Sequence, residues 1–183
     1  MLTEKTPYFS ATSFSSFLNN ILSITQSSNL QGCLFSLYWL DIKDIPIDPT
    51  TGDRQLAGIF APVKDEKGIY ILFKKSTLQV LYVGSAGTGA SRASVFYTTV
   101  ANGTGGSGRI EHLLKQNPSN NTGIVDYFNK NIANTGKSWD DFMNEYSLLL
   151  ICIKSDDNSD IDNKILTGLT RSLRTILNPS ANS

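Results

Sequence analysis

The segment that most restricts how this chain can fold is Tyr146 to Lys154, YSLLLICIK, an almost unbroken apolar run of strand length. A strand with one wet face would alternate apolar and polar residues. A continuous apolar run of this length reads instead as a strand buried inside a sheet. Cys33 to Ile42, CLFSLYWLDI, is a second run of this kind, rich in aromatic residues, and Pro46, Pro49 and Gly52 after it mark a turn-rich connection. Both runs fall far short of the roughly 20 residues that a membrane-spanning helix needs. The sequence therefore predicts no membrane span.

Between these runs lie two short ones, Gly68 to Lys74 (GIYILFK) and Leu78 to Gly84 (LQVLYVG), separated by Lys75, Ser76 and Thr77. Their length and spacing suit a β-hairpin. Helical periodicity appears elsewhere. Phe14, Phe17, Leu18, Ile21 and Leu22 fall on one face of a helix that Ser13 can cap. Ile165, Leu166, Leu169, Leu173, Ile176 and Leu177 do the same for a last helix, Asn163 to Leu177, which Asn178-Pro179 ends. Ser107 to Gln116 reads as a helix stopped by Asn117-Pro118, and Ile124 to Asn131 and Trp139 to Asn144 as short helical pieces. From Ser85 to Gly108 the chain is rich in Gly, Ser, Thr and Ala, and the β-branched residues of Arg92 to Val100 weaken a helical reading there. The expected class is α+β: a three-stranded mixed or antiparallel sheet with helices packed on it, preceded by an N-terminal helix and strand.

Sixteen basic and sixteen acidic side chains leave no net charge, and the balance is even along the chain, with 7 of each sign before Gly84 and 9 of each after it. That argues against indiscriminate coating of nucleic acid, where affinity comes from phosphates neutralised by Lys and Arg. Any basic surface has to be local. The two cysteines, Cys33 and Cys152, each sit in an apolar run and match no metal-binding spacing. The start of the chain lacks a basic region followed by a long apolar stretch, so an intracellular, cytoplasmic protein is expected.

The tripeptides Gly68-Ile69-Tyr70 and Tyr82-Val83-Gly84, with 11 residues between them, resemble the two signature strands of the GIY-YIG nuclease superfamily. The resemblance continues through a third strand, Tyr146 to Lys154, to a final helix followed by Pro179-Ser180-Ala181-Asn182, which is similar to the family's Pro-x-x-Asn ending. It spans about residues 65–183. Residues 1–64 are then an N-terminal extension.

What the resemblance implies is a metal-dependent endonuclease that hydrolyses phosphodiester bonds in DNA. Such hydrolysis needs an aligned water, a base for its proton and positive charge where the phosphorane oxygens gain density. By resemblance Tyr70 is or assists the base, Tyr82 positions water or phosphate, and an arginine stabilises the transition state. Two arginines compete for that role. Arg92 lies eight residues after Gly84, and Arg109 opens Gly108-Arg109-Ile110-Glu111-His112; the reading leans to Arg92. His112, the single histidine, is a secondary candidate for a phosphate or water contact. Gly84, Ser85, Lys164, Arg171, Arg174 and Asn182 are the expected substrate-binding residues.

The resemblance also implies Mg²⁺ or Mn²⁺, held by a glutamate on the last helix. The corresponding position here is Thr170, and Asn163 to Leu177 contains no carboxylate. A neutral hydroxyl does not replace an anionic Mg²⁺ ligand. The metal ligands are accordingly unassigned, with Asp160, Asp162 and Glu111 as candidates. The alternative is a catalytically inactive nucleic-acid-binding or protein-interaction domain of the same fold.

Plainer readings apply to the remaining features. Gly103, Gly105, Gly106 and Gly108 lack the lysine of a P-loop and read as a flexible loop. Asp156, Asp157, Asp160 and Asp162 lack the spacing of a calcium loop and read as a solvated turn before the last helix. A two-fold homodimer is the geometry expected of an enzyme that cuts both strands of a duplex.

Overall fold

The structure, a computed structural model, describes residues 19, 23, 33–52, 54, 67–86, 122–155 and 163–181. Four strands form one antiparallel sheet: β1 (Cys33–Asp41), β2 (Gly68–Lys74), β3 (Val80–Ala86) and β4 (Tyr146–Ser155). Their spatial order is β1-β4-β2-β3. The helices are α1 (Thr122–Asn131), α2 (Trp139–Met143) and α3 (Asn163–Leu177). The α+β class is as expected. The sheet has four strands rather than three, because β1 pairs with β4 along its whole length, from Cys33 opposite Ser155 to Asp41 opposite Ser147. Its aromatic-rich sequence covers one flank of the buried strand.

Strand alternation divides the core into two layers. On one face Tyr70 and Leu72 of β2 meet Leu148, Leu150 and Cys152 of β4, and this layer is closed by Ile124 of α1 and by Phe142 and Met143 of α2. On the other, Ile69, Ile71 and Phe73 meet Leu149, Ile151 and Ile153, closed by Leu166, Leu169 and Leu173 of α3. The continuous apolar run of β4 is thus explained: both of its faces are covered, and its edges are taken by β1 and β2.

Local chemistry sets the element ends. Ser138 caps α2 in a capping box: its hydroxyl accepts from the Asp141 N–H at 3.1 Å, and the Asp141 carboxylate accepts from the Ser138 N–H at 3.4 Å. Behind β1, Arg54 is buried, donating to the Ile42 carbonyl at 2.9 Å and to Asp140 and Asn144 at 3.0 Å each. That clasp ties the turn-rich segment to α2. At the end of α3, Asn178 takes a left-handed conformation (φ 44) and its N–H donates to the Arg174 carbonyl at 3.0 Å. Pro179 then forbids continuation, as the sequence predicts.

The last helix spans the expected residues, and β4 runs one residue past Lys154. The second hairpin strand differs more. It begins at Val80 because Leu78 is used in the turn, at φ 58, where its N–H donates to the Lys74 carbonyl at 2.7 Å. Of the N-terminal helix, Asn19 and Ser23 are described, both helical and exposed, which suits the polar side of the predicted stripe. The other residues of that predicted helix, the glycine-rich stretch, the predicted helix at 107–116 and the acidic run lie outside the described residues. No helix among the described residues is long and apolar enough to cross a membrane.

Candidate active site

The tyrosines of the hairpin share a face of the sheet because of one irregularity. Tyr70 lies opposite Gly84 and Leu72 opposite Tyr82, but Phe73 lies opposite Val80, so Leu81 is an extra residue in β3. Such a bulge lets consecutive side chains point the same way. Leu81 and Tyr82 both join the layer of Tyr70, while Val80 and Val83 belong to the layer under α3. As a result the Tyr70 and Tyr82 rings stack, with centroids 6.0 Å apart and planes inclined by 23°. Tyr70 is fully buried, its hydroxyl included, whereas Tyr82 is half-buried. Of the two, Tyr82 is the one a ligand can reach.

Both glycines of the paired tripeptides have steric reasons. A Cβ on Gly84 would stand 2.7 Å from Cε2 of Tyr70 and closer still to Cζ and the hydroxyl oxygen. The ring of Tyr70 therefore lies across the bare backbone of Gly84. A Cβ on Gly68 would run into the backbone of β4, reaching 2.9 Å from the Ile151 carbonyl carbon and 3.1 Å from the Cys152 Cα. Gly68 lets β2 and β4 pair at the point where the hairpin enters the sheet.

The outer edge of β3 is closed by the C-terminal segment. The N–H groups of Ser180 and Ala181 donate to the Val80 and Leu81 carbonyls at 3.2 and 2.8 Å, and Arg174 Nε donates to the Val83 carbonyl at 2.9 Å. The guanidinium carbon of Arg174 is 5.8 Å from the Tyr82 ring centroid. Ala181 is buried in the layer of the tyrosines, so the Pro179-Ser180-Ala181 stretch carries the chain from the α3 face of the sheet to the opposite one.

Comparison of the chain with protein-family models, with curated proteins and with solved structures finds no match.

Among the other predicted site residues, Gly84 and Ser85 are buried, Ser85 on the α3 side by strand alternation. Lys164, Arg171 and Arg174 are exposed on α3, and of these Arg174 sits against Tyr82. Arg92, Arg109, His112 and Asn182 lie outside the described residues, as do Glu111, Asp160 and Asp162. Thr170 is buried at 5%, and its hydroxyl donates to the Leu166 carbonyl at 2.7 Å, an intrahelical bond that turns the oxygen back into α3. No group of three or more His, Cys, Asp or Glu side chains able to hold a metal ion occurs among the described residues.

Charged groups elsewhere serve the frame. Asp41 accepts from Ser147 Oγ at 2.6 Å and pairs with Lys75, fixing one end of the sheet. Beside it Glu145 bridges Lys137 and Lys74, and the hydrogen bonds from Lys137 and then Lys74 hold its carboxyl below the usual carboxylate range. Burial, which disfavours a phenolate, pushes the Tyr146 phenol above the ordinary tyrosine range. Sequence reasoning did not find Arg174's place beside Tyr82, since a basic stripe on a helix gives no sign that one member turns toward a sheet edge. Nor did it find the bulge, which has no signature in LQVLYVG.

Proposed function

We propose that this chain is a GIY-YIG-type endonuclease acting on phosphodiester bonds in DNA, with Tyr82 as the hairpin residue that meets the scissile phosphate. The observation that carries this reading is the hairpin geometry: the bulge at Leu81 sets Tyr82 beside Tyr70 on one face, and Gly84 makes room for the Tyr70 ring. Burial gives the two tyrosines different work. Tyr70, closed off from solvent, is the wall against which Tyr82 is fixed; Tyr82, half-exposed, offers its hydroxyl to a water or a phosphate oxygen. Holding one hydroxyl in a single orientation is how such a site gains rate, because the ordering has been met in folding before substrate arrives. Positive charge for the transition state comes from Arg92 or Arg109.

A second reading is favoured by Thr170. Its hydroxyl is committed to the Leu166 carbonyl, and α3 carries no carboxylate, so the position that should hold an anionic metal ligand holds none. On that reading the domain binds nucleic acid without cutting it.

One experiment separates them. Purified protein is incubated with supercoiled plasmid and Mg²⁺ or Mn²⁺, alongside Arg92→Ala and Arg109→Ala, and binding to a labelled duplex is followed by fluorescence anisotropy. Nicking that one of the two arginine variants abolishes supports the nuclease. Binding without nicking under either metal replaces it with the binding domain. Neither binding nor nicking overturns both.

A further inference from the structure

We propose that Arg174 is a positioning residue for Tyr82, and that it is not one of the residues that grip the phosphate backbone; its consequence for cleavage rests on the site proposed above. Three observations bear on this. Arg174 follows Leu173, which is buried under the sheet in the α3 layer, so the start of its side chain is fixed by packing. Its Nε donates at 2.9 Å to the carbonyl of Val83, the residue next to Tyr82. Its guanidinium carbon lies 5.8 Å from the Tyr82 ring centroid, within the range where a cation is attracted to the ring's electron-rich face.

The location explains why such a clamp would be needed. β3 is the edge strand, and the bulge at Leu81 interrupts its ladder with β2 immediately before Tyr82. A bulged edge has fewer bonds to hold its direction. The Val80 and Leu81 carbonyls on the outer side are taken by the N–H groups of Ser180 and Ala181. Arg174 takes the next one used, at Val83, and contacts the ring of the residue between. Tyr82 is thus held by the Tyr70 ring within the sheet and by Arg174 from α3.

Arginine suits this double duty because its planar guanidinium donates in its plane and stacks through its face at once; an ammonium on a flexible stem does not reproduce both contacts. No ion pair between described residues engages Arg174, so its charge is directed at the ring and the carbonyl. Arg171, one turn earlier and exposed, has no such engagement with the sheet edge. It remains a backbone-contact candidate.

The test uses the full-length protein carrying ring-¹³C tyrosine, with the Tyr82 resonance assigned by Tyr82→Phe, and compares Arg174→Ala, Arg174→Lys and Arg171→Ala. This readout needs no cleavage. The Tyr82 ring signal is expected to shift and broaden in both Arg174 variants and to stay in place in Arg171→Ala. In DNA-binding titrations Arg171→Ala lowers the salt slope by about one phosphate, while Arg174→Ala leaves it unchanged. If the protein cuts DNA, Arg174→Ala lowers kcat roughly tenfold at constant KM, and Arg174→Lys fails to restore it. An unmoved Tyr82 signal in Arg174→Ala overturns the proposal, and so does full recovery in Arg174→Lys or a salt slope that falls by one in Arg174→Ala. Should Arg174→Ala not fold, the lysine variant alone decides by the same signal. A chain that never nicks DNA removes the nuclease reading and leaves the NMR outcome to judge the clamp.

Discussion

Gly84→Ala provides a sharp test of the packing on which the hairpin site depends. The new Cβ would stand 2.7 Å from Cε2 of Tyr70 and nearer to Cζ and the hydroxyl oxygen. Tyr70 is at 0% exposure, hemmed in by the layer that also holds Leu72, Leu150 and Phe142, so its ring has nowhere to swing. Forcing a methyl into a filled core costs about 1–3 kcal/mol, and with two ring carbons and the hydroxyl oxygen in conflict the upper end applies, about 3 kcal/mol. Tyr70→Leu removes those atoms and by itself costs about 2–4 kcal/mol through the space it leaves. In that background the alanine methyl has room, and Gly84→Ala becomes nearly neutral. The double-mutant cycle therefore returns a coupling of about 2–3 kcal/mol. Urea unfolding of the four proteins, followed by tryptophan fluorescence, measures it. Equal costs for Gly84→Ala in both backgrounds would refute the claim that this glycine exists to admit the Tyr70 ring.

Three further outcomes follow from particular contacts. Gly168 lies on the exposed side of α3, where an added Cβ meets nothing within 4 Å, so Gly168→Ala is expected to raise stability by about 1 kcal/mol through helix propensity alone; a lower urea midpoint would contradict this. Arg54→Ala removes a buried guanidinium that serves the Ile42 carbonyl, Asp140 and Asn144, and is expected to cost about 2–3 kcal/mol in the same assay, with little recovery in Arg54→Lys, whose single ammonium cannot span all three acceptors. Because Lys137 and Lys74 depress the Glu145 pKa below its ordinary 4.5, the ion pair's contribution is complete above that pH and disappears as pH falls through the lower folded value. The difference in urea midpoint between wild type and Glu145→Gln should accordingly be constant near neutrality and close below about pH 4.5; a gap that ignores pH would rule the linkage out.

The elements legible in the sequence were those whose pattern has a single structural solution. A run such as YSLLLICIK can be little but a covered strand, and the spacing of Leu166, Leu169 and Leu173 gives α3 its buried stripe and its residue range. The hairpin was visible as two runs with a turn. Its register was not, because LQVLYVG reads equally well as a regular strand, and only the pairing of Phe73 with Val80 reveals Leu81 as the extra residue. The fourth strand was seen as a strand but not as part of the sheet, since pairing over a separation of more than a hundred residues leaves no local mark. Among the predicted site residues, the fold brings the two tyrosines together, yet their difference in burial arises only in the folded packing, where Tyr70 is enclosed by its own layer and by the bare backbone of Gly84. Thr170 could be picked out in the sequence as standing where the resemblance expects an acid, while its bond to Leu166 belongs to the folded helix.

The central claim is that the bulged hairpin presents Tyr82 to a phosphodiester. Its most direct measurement is the single-turnover nicking rate of supercoiled plasmid by wild type and by Tyr82→Phe, with Mg²⁺ and with Mn²⁺. Removal of one hydroxyl leaves the ring, its stacking on Tyr70 and its contact with Arg174 in place. The expected result is nicking by wild type and a loss of about a hundredfold in Tyr82→Phe at unchanged urea stability. No nicking by wild type with either metal, or a Tyr82→Phe protein as fast as wild type, would contradict it.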